Sequence, residues 1–267
     1  MACTDVILSK DSLVLVTGAN GYIGSHVVYQ LLNAGCKVRG TIRSRKSWLE
    51  ELFEEKNGKG RFETTIEPSM EAPGAFDETT KDVGGVASDV SFGTNPKVVI
   101  PIAVNGAKNA LEAAAKYPSV TRFILTSSST AAVSPITNTE MSVAIDSWND
   151  KAVADAWDSA DPHPGTVYSA SKTEAERAAW EWVTGKEPGF VFNAILPNFN
   201  GPILYRNIGG STMGHVARPL QSDGTDISLF PPEYYVHVQD CARLHVAALL
   251  DPSIQNERIF AFAHPFN

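Results

Sequence analysis

The chain has 267 residues, a formal net charge of -8 and a sequence pI of about 5.3. This acidic balance argues against a protein that binds nucleic acid or an anionic membrane through its overall charge. Three scattered cysteines, at 3, 36 and 241, form neither a disulfide framework nor a metal cluster, and no apolar run reaches the about 20 residues of a membrane span. The N-terminus also lacks a signal-peptide pattern. We therefore expect a cytoplasmic globular protein without metal, nucleic-acid or membrane partners.

Short β-branched runs alternate with longer helical stretches along the chain. We predict strands over 12–17, 37–42, 61–66, 83–87, 121–127 and 190–196. We predict helices over 22–34, 47–56, 75–81, 97–117, 167–184 and 238–250. Strands that alternate with crossover helices indicate an α/β fold with a doubly wound, parallel, Rossmann-like sheet.

The first strand runs into a glycine-rich turn, TGANGYIG, that opens the first helix. Gly18 permits the tight turn, Gly21 lets a pyrophosphate approach the backbone, and Gly24 lets the helix pack closely on the sheet. Free N–H groups at the helix N-terminus would then face the phosphates. We therefore expect a dinucleotide at Thr17, Gly18, Asn20, Gly21, Tyr22, Ile23 and Gly24. The alternative is that the glycines serve only a tight strand-to-helix turn.

The segment KVRGTIRSRK, over and beyond the second strand, contains no acid. An NAD site usually places an acid here to hold the ribose 2′-hydroxyl. Arg43 instead occupies the position where a 2′-phosphate would lie, with Arg45 and Lys46 just beyond it. Because guanidinium groups bind phosphate through charge-assisted hydrogen bonds, we predict NADP(H), with a solvated basic face as the alternative.

Residues 168–172 read YSASK, and a second polar group, TSSS at 126–129, ends the fifth strand. Tyr168 and Lys172 share one helix face, and a nearby ammonium favours the phenolate, so the tyrosine can exchange a proton with a carbonyl or alcohol oxygen. Strand carboxyl ends face the ligand crevice of an open parallel sheet. The alternative reads the serines as a strand-end turn and Tyr168 as a surface residue.

Together, TGANGYIG, TSSS and YSASK resemble the extended short-chain dehydrogenase/reductase family, most closely its dihydroflavonol-reductase-like branch with the fungal NADPH-dependent aldehyde and ketone reductases. The resemblance covers nearly the whole chain. It implies that Ser128 polarises a carbonyl, that Tyr168 is the acid, and that Lys172 orients the ribose and tunes Tyr168. It also implies a proton-relay position at Asn105.

The same resemblance implies further cofactor contacts, and the chain departs from the family in three places. Pro197 and Asn198 would border the nicotinamide, Ala87 would end the fourth strand beneath it, and Ser69 and Met70 would lie near the adenine, where relatives carry an aspartate. The loop after Ala87 is shorter than in the family. The resemblance also predicts a substrate lobe that continues past the end of this chain.

We therefore assign 1–196 to an NADP-binding Rossmann-like domain, rejoined by 236–251. Residues 197–235 and 252–267 are predicted to form a partial, truncated substrate-binding lobe. The predicted activity is NADPH-dependent reduction of an aldehyde or ketone to an alcohol. Two alternatives remain: a non-catalytic NADP-binding sensor or inactive short isoform, and a nucleotide-sugar epimerase or dehydratase that retains NAD.

Overall fold

A computed structural model of the chain describes residues 7–88, 95–201, 205, 208, 212 and 232–266. Its main sheet contains seven parallel strands in the order β3-β2-β1-β4-β5-β6-β9. These strands are β1 (Leu13–Val16), β2 (Lys37–Ile42), β3 (Phe62–Ile66), β4 (Gly85–Ser88), β5 (Arg122–Thr126), β6 (Val191–Pro197) and β9 (Arg258–Ala261). The predicted doubly wound, Rossmann-like fold class is confirmed.

Helices cover both faces of this sheet. They are α1 (Tyr22–Asn33), α2 (Ser47–Asn57), α3 (Pro96–Ala115), α4 (Asp150–Asp158), α5 (Pro164–Lys186) and α6 (Val238–Leu250). Helix α1 packs on α6, and α3 packs on α5. No helix among the described residues combines the length and apolar character that crossing a membrane would require.

The strand β1 shows why the sheet is buried on both sides. Side chains alternate along a strand, so the continuous apolar run LVLV supplies two cores. Val14 and Val16 belong to the core beneath α1 and α6, whereas Leu15 belongs to the core beneath α3 and α5. The strand order reverses between β1 and its neighbours β2 and β4, which opens a crevice at their carboxyl ends.

The helix that we predicted over 75–81 is wrong, because this segment forms a series of turns. Its backbone carbonyls accept hydrogen bonds from side chains, which compete with a helical ladder. The hydroxyls of Thr79 and Thr80 both donate to the carbonyl of Phe76, at 3.1 and 2.7 Å. Arg39 donates to the carbonyls of Thr79 and Lys81, at 3.1 and 2.8 Å. These turns are therefore held by two threonines of the segment and by Arg39 of β2.

Several short elements lie outside our predictions. They are α4, a 3₁₀ turn (Ser129–Ala131), and a second sheet of β7 (Phe199–Gly201), β8 (Glu233–His237) and β10 (His264–Phe266), ordered β10-β8-β7. We expected 252–267 in a second lobe, but β9 from this range pairs with β6 as the last strand of the main sheet. Most of 197–235 lies outside the described residues, so the division into domains stays a prediction.

Candidate active site

The turn between β1 and α1 is a cradle that side chains would fill. Gly18 has φ +63, a left-handed conformation that favours glycine. A Cβ at Gly24 would lie 2.4 Å from the Gly18 carbonyl oxygen, and one at Gly21 would lie 3.0 Å from it. The turn is fastened to β2, where Thr41 accepts from the N–H groups of Gly18 (3.2 Å, side chain) and Ala19 (3.1 Å, backbone). The backbone of the glycine turn is therefore uncovered by side chains at Gly18, Gly21 and Gly24, and its hydrogen bonds to Thr41 hold it in place.

Helix α1 offers backbone donors at this turn. Gly21 caps the helix without a side-chain hydrogen bond, and the first N–H to donate within the helix is that of Ser25, at 3.0 Å from the Gly21 oxygen. The preceding N–H groups are therefore placed to receive an anion. Tyr22 contributes its backbone N–H to this set but not its side chain. The Tyr22 ring is buried edge-on against His26, and burial raises the pKa of its phenol.

The basic segment divides between the two ends of β2. Arg39 pairs with Glu63 at 2.6 Å and faces the turns before β4, so it takes no part in the crevice. Arg43 and Arg45 follow the carboxyl end of β2 and are exposed, and Lys46 is half-buried at the start of α2. Within the basic segment, Arg43, Arg45 and Lys46 are thus the cations at the crevice end of β2.

Two acids, Glu67 and Glu71, follow β3, and one of them faces this group. The Glu71 carboxylate accepts from its own N–H and from the Ser69 hydroxyl, and the Arg43 guanidinium faces it, which together hold its pKa below the usual range. Burial instead raises the pKa of Glu67, whose carboxylate accepts from the Ser69 N–H at 3.3 Å. The aspartate that relatives carry near the adenine is missing here. Ser69 stands at that position, between Glu67 and Glu71, and hydrogen-bonds to both carboxylates. No local sequence signal marks Glu71, because only the parallel pairing of β2 with β3 brings it beside Arg43.

The remaining predicted cofactor contacts lie at the ends of other strands. Ala87 is buried, and its carbonyl accepts from the Thr17 N–H at 2.9 Å. Met70 packs against the core beneath α3 and α5 and against the small cluster of Ala103 and Ala175 between these helices. Pro197 is buried at the end of β6, followed by half-buried Asn198. The shortened loop that we expected after β4 falls on 89–94, outside the described residues.

At the end of β5, Ser128 is 5% exposed and caps the 3₁₀ turn. Its hydroxyl oxygen accepts from the N–H of Thr130 at 3.3 Å and from the Thr130 hydroxyl at 3.0 Å. Because Ser128 acts as acceptor in both contacts, its own hydrogen can be donated to a substrate oxygen. We did not predict Thr130, although a Ser-x-Thr sequence after a strand is a known signal for such a turn.

The helix α5 brings Lys172 and Tyr168 to this strand end. The Lys172 ammonium is buried, donates to the Thr126 carbonyl at 3.2 Å and lies 6.0 Å from the centroid of the Tyr168 ring. The Thr173 hydroxyl, one residue further, donates to the Ser169 carbonyl of its own helix at 2.7 Å and lies 3.5 Å from the Ala131 carbonyl, where the helix packs on the 3₁₀ turn that Ser128 caps. Tyr168 itself is half-buried. The three predicted catalytic residues thus come from two elements in direct contact.

Two other candidates have different outcomes. Asn105, the relay position implied by the resemblance, is exposed on α3. His245, which we did not include in the site, is buried on α6, where its Nδ1 lies 2.8 Å from the Cys241 carbonyl and its Nε2 lies 2.9 Å from the Thr126 hydroxyl. Since a carbonyl only accepts, Nδ1 donates to Cys241, and in the neutral imidazole Nε2 then accepts from the Thr126 hydroxyl. His245 therefore fixes the same strand end from the other face of the sheet.

Comparisons with known proteins identify the family of the chain. The family model described as the NAD dependent epimerase/dehydratase family matches residues 14–261. The chain is 43% identical to the ketoreductase adrE of Penicillium roqueforti, over 97% of this chain and 78% of that protein. It is 42% identical to aldehyde reductase 2 of Sporidiobolus salmonicolor, over 98% of this chain and 80% of that protein.

Among solved structures, yeast methylglyoxal/isovaleraldehyde reductase Gre2, complexed with NADPH, aligns with a TM-score of 0.81 and 27% identity. The alignment covers 95% of this chain and 79% of Gre2. The extent of the family match and the identity to these relatives leave one assignment. The chain belongs to the NAD dependent epimerase/dehydratase family, within the extended short-chain dehydrogenases/reductases that its motifs resemble.

Proposed function

We propose that this protein reduces an aldehyde or ketone to an alcohol with NADPH. The observation that carries the proposal is the contact between two elements: Lys172 of the Tyr168 helix donates to the Thr126 carbonyl, two residues before Ser128. This contact brings the elements that carry a hydroxyl donor, a phenol and a buried ammonium to the same end of β5, which supports a site for proton transfer there. The ketoreductase and aldehyde reductase relatives, and the NADPH complex of Gre2, support this choice of chemistry.

The chain is suited to hold a dinucleotide. A Cβ at Gly21 or Gly24 would fill the space above the Gly18 carbonyl, so the glycines keep a backbone cradle for the pyrophosphate at the N-terminus of α1. Arg43, with Arg45 and Lys46, would hold the 2′-phosphate. Lys172 would hold the ribose of the nicotinamide side. When bound, the nicotinamide supplies the hydride.

The side chains supply the proton and the orientation. Ser128 donates its hydroxyl hydrogen to the substrate oxygen, because Thr130 already donates to the Ser128 oxygen. Tyr168 gives the proton that completes the alcohol, and the positive charge of Lys172 beside its ring stabilises the phenolate that remains. Among the described residues, the buried thiols of Cys36 and Cys241 form no disulfide, which fits the reducing cytoplasm, where we propose that the enzyme acts.

The test measures the loss of NADPH absorbance with a panel of aliphatic and aromatic aldehydes and ketones. We expect turnover with at least one compound, and a loss of kcat of about 100-fold or more in Tyr168→Phe, with NADPH affinity kept. Tyr117→Phe is the matched control, because it removes a hydroxyl that donates to the Asp77 carbonyl at the far end of α3. A folded wild-type protein that turns over no compound refutes the proposal.

A nucleotide-sugar epimerase or dehydratase is the second candidate. The family description and the relative named NAD-dependent epimerase/dehydratase terH, 38% identical, favour it. So does Glu71, which places an acid beside Arg43. The nucleotide that remains bound after purification separates the two: retained NAD supports the epimerase, whereas an empty site that binds added NADPH supports the reductase. An empty site that binds NADPH without any turnover would instead support the non-catalytic sensor.

A further inference from the structure

A buried ion pair lies directly behind the candidate catalytic serine. Glu176 of α5 is fully buried, and its Oε1 accepts from the Nε of Arg258 in β9 at 2.6 Å, while Arg258 is 9% exposed. Trp180 donates to the same oxygen at 3.3 Å. The other oxygen, Oε2, accepts from the hydroxyl of Ser127 at 2.6 Å. Glu176 thus joins β9 to the residue that precedes Ser128.

Arg258 is itself fixed on several sides. Its Nη1 donates to the carbonyls of Ile145 and Ser147 at 2.6 and 2.8 Å, and its guanidinium lies 4.0 Å from the centroid of the Trp148 ring. A guanidinium with this many partners is a rigid anchor. The position of Glu176 is therefore set by β9 and by the segment that carries these carbonyls.

The strand end is held from both faces of the sheet. Thr126 and Ser127 point to opposite faces because side chains alternate along a strand. The Thr126 hydroxyl reaches His245 of α6, and the Ser127 hydroxyl reaches Glu176 of α5. The Ser127 N–H also donates to the Ile195 carbonyl of β6 at 2.8 Å. Ser128 is the first residue beyond these contacts.

We propose that Glu176 is a positioning residue for the reaction, which acts through the Ser127 hydroxyl to fix the backbone from which Ser128 projects, with Arg258 as its anchor. This inference rests on the proposed function for its kinetic consequence only. Misplacing a catalytic group by about 1 Å can cost about 100-fold in rate. The contact from Ser127 to Glu176 is therefore expected to affect turnover more than stability.

Two variants separate positioning from mere stability. Ser127→Ala removes the hydroxyl but keeps the ion pair, so we expect kcat to fall about 10- to 100-fold with NADPH affinity within about twofold and a small change in Tm. Glu176→Gln keeps hydrogen bonds to Ser127, Trp180 and Arg258 but leaves the Arg258 charge without its counter-ion. We therefore expect its Tm to fall by about 5–10 °C and its kcat to stay within about threefold.

The control variant is Thr80→Ala, which removes a buried hydroxyl that donates to the Phe76 carbonyl at 2.7 Å, before β4 and away from the site. Its kcat should equal that of wild type. Ser127→Cys, whose thiol is a weak donor of similar size, is measured beside Ser127→Ala, and the same loss of kcat is expected. If the loss of kcat is proportional to the loss of Tm across these four variants, the proposal is overturned.

A second measurement does not depend on turnover. Hydrogen exchange of the peptide that spans residues 127–132 should speed up in Ser127→Ala, because the N–H groups of Thr130, Ala131 and Ala132 donate within the turn that Ser128 caps. Exchange there should be unchanged in Thr80→Ala. If wild type reduces no carbonyl compound, the proposed function fails, and exchange alone decides the positioning role. Unchanged exchange in Ser127→Ala overturns it.

Discussion

The change Gly24→Ala tests whether the glycine turn is a cradle for pyrophosphate. A Cβ at this position would lie 2.4 Å from the carbonyl oxygen of Gly18. Restoring an ordinary contact of about 3.5 Å requires the turn and the helix to separate by about 1 Å. Overpacking of this kind costs about 1–3 kcal/mol, so the Tm of the free protein should fall by about 2–5 °C.

Cofactor binding should suffer as well. The displaced turn carries the N–H groups that face the pyrophosphate, and hydrogen bonds to charged groups contribute about 1.5–3 kcal/mol each. Weakening one or two of them predicts about 10- to 100-fold weaker binding. The loss should be equal for NADPH and NADH, because both contain the pyrophosphate. Titration of each cofactor, followed by fluorescence or calorimetry, measures this.

Gly185→Ala provides the matched control. Gly185 also lies in a helix, near the end of α5, but a Cβ there would meet nothing within 4 Å. Alanine in a helix interior is favoured over glycine by about 0.5–1 kcal/mol, so this variant should be as stable as wild type or more so and bind both cofactors normally. The reasoning is refuted if Gly24→Ala keeps wild-type Tm and affinity.

Two further predictions concern charge. Arg43→Ala should weaken NADPH binding about tenfold and change NADH binding by no more than about twofold. The expected loss is at the lower end for an arginine–phosphate contact because Arg43 is exposed. An equal loss of affinity for both cofactors would contradict the 2′-phosphate role. Burial raises the pKa of Glu233, whose carboxylate accepts from the Asn198 side chain. The contribution of protonated Glu233 to the free energy of unfolding is therefore complete below the pKa that this group has in the unfolded chain. It is lost as pH rises through the higher pKa of the folded protein. Melting curves should show Glu233→Gln above wild type in Tm at neutral pH, with the difference gone near about pH 4; a constant difference would refute the assignment.

The central strands of the sheet could be predicted because they are largely apolar runs. β1 and β5 are buried along almost their whole length, and such runs stand out from the helices around them. The strand β9 was missed because it has four residues, one of them Arg258, whose charge is neutralised by a partner far away in the chain. The helix expected at 75–81 failed because its carbonyls are taken by side chains such as that of Arg39.

The residues of the candidate site also divide into those that the sequence predicts and those that it does not. The catalytic candidates occur in contiguous motifs, in which Tyr168 and Lys172 are one helical turn apart, so local periodicity suffices to group them. The acid beside Arg43 was missed because β2 and β3 are joined by a helix, and only their parallel pairing brings Glu71 next to the cation. No local pattern reports such a juxtaposition.

The strand end at 126–128 shows why the motif alone does not define the site. Thr126 contacts a residue 119 positions away, and Ser127 contacts one 49 positions away. Neither partner bears on the chemistry directly, yet both hold the backbone from which Ser128 projects. A chain could keep TSSS and YSASK and still place the serine loosely if either partner were lost. Activity should therefore depend on the buried polar contacts of Ser127 as well as on the motif, which is what the comparison of Ser127→Ala with Glu176→Gln measures.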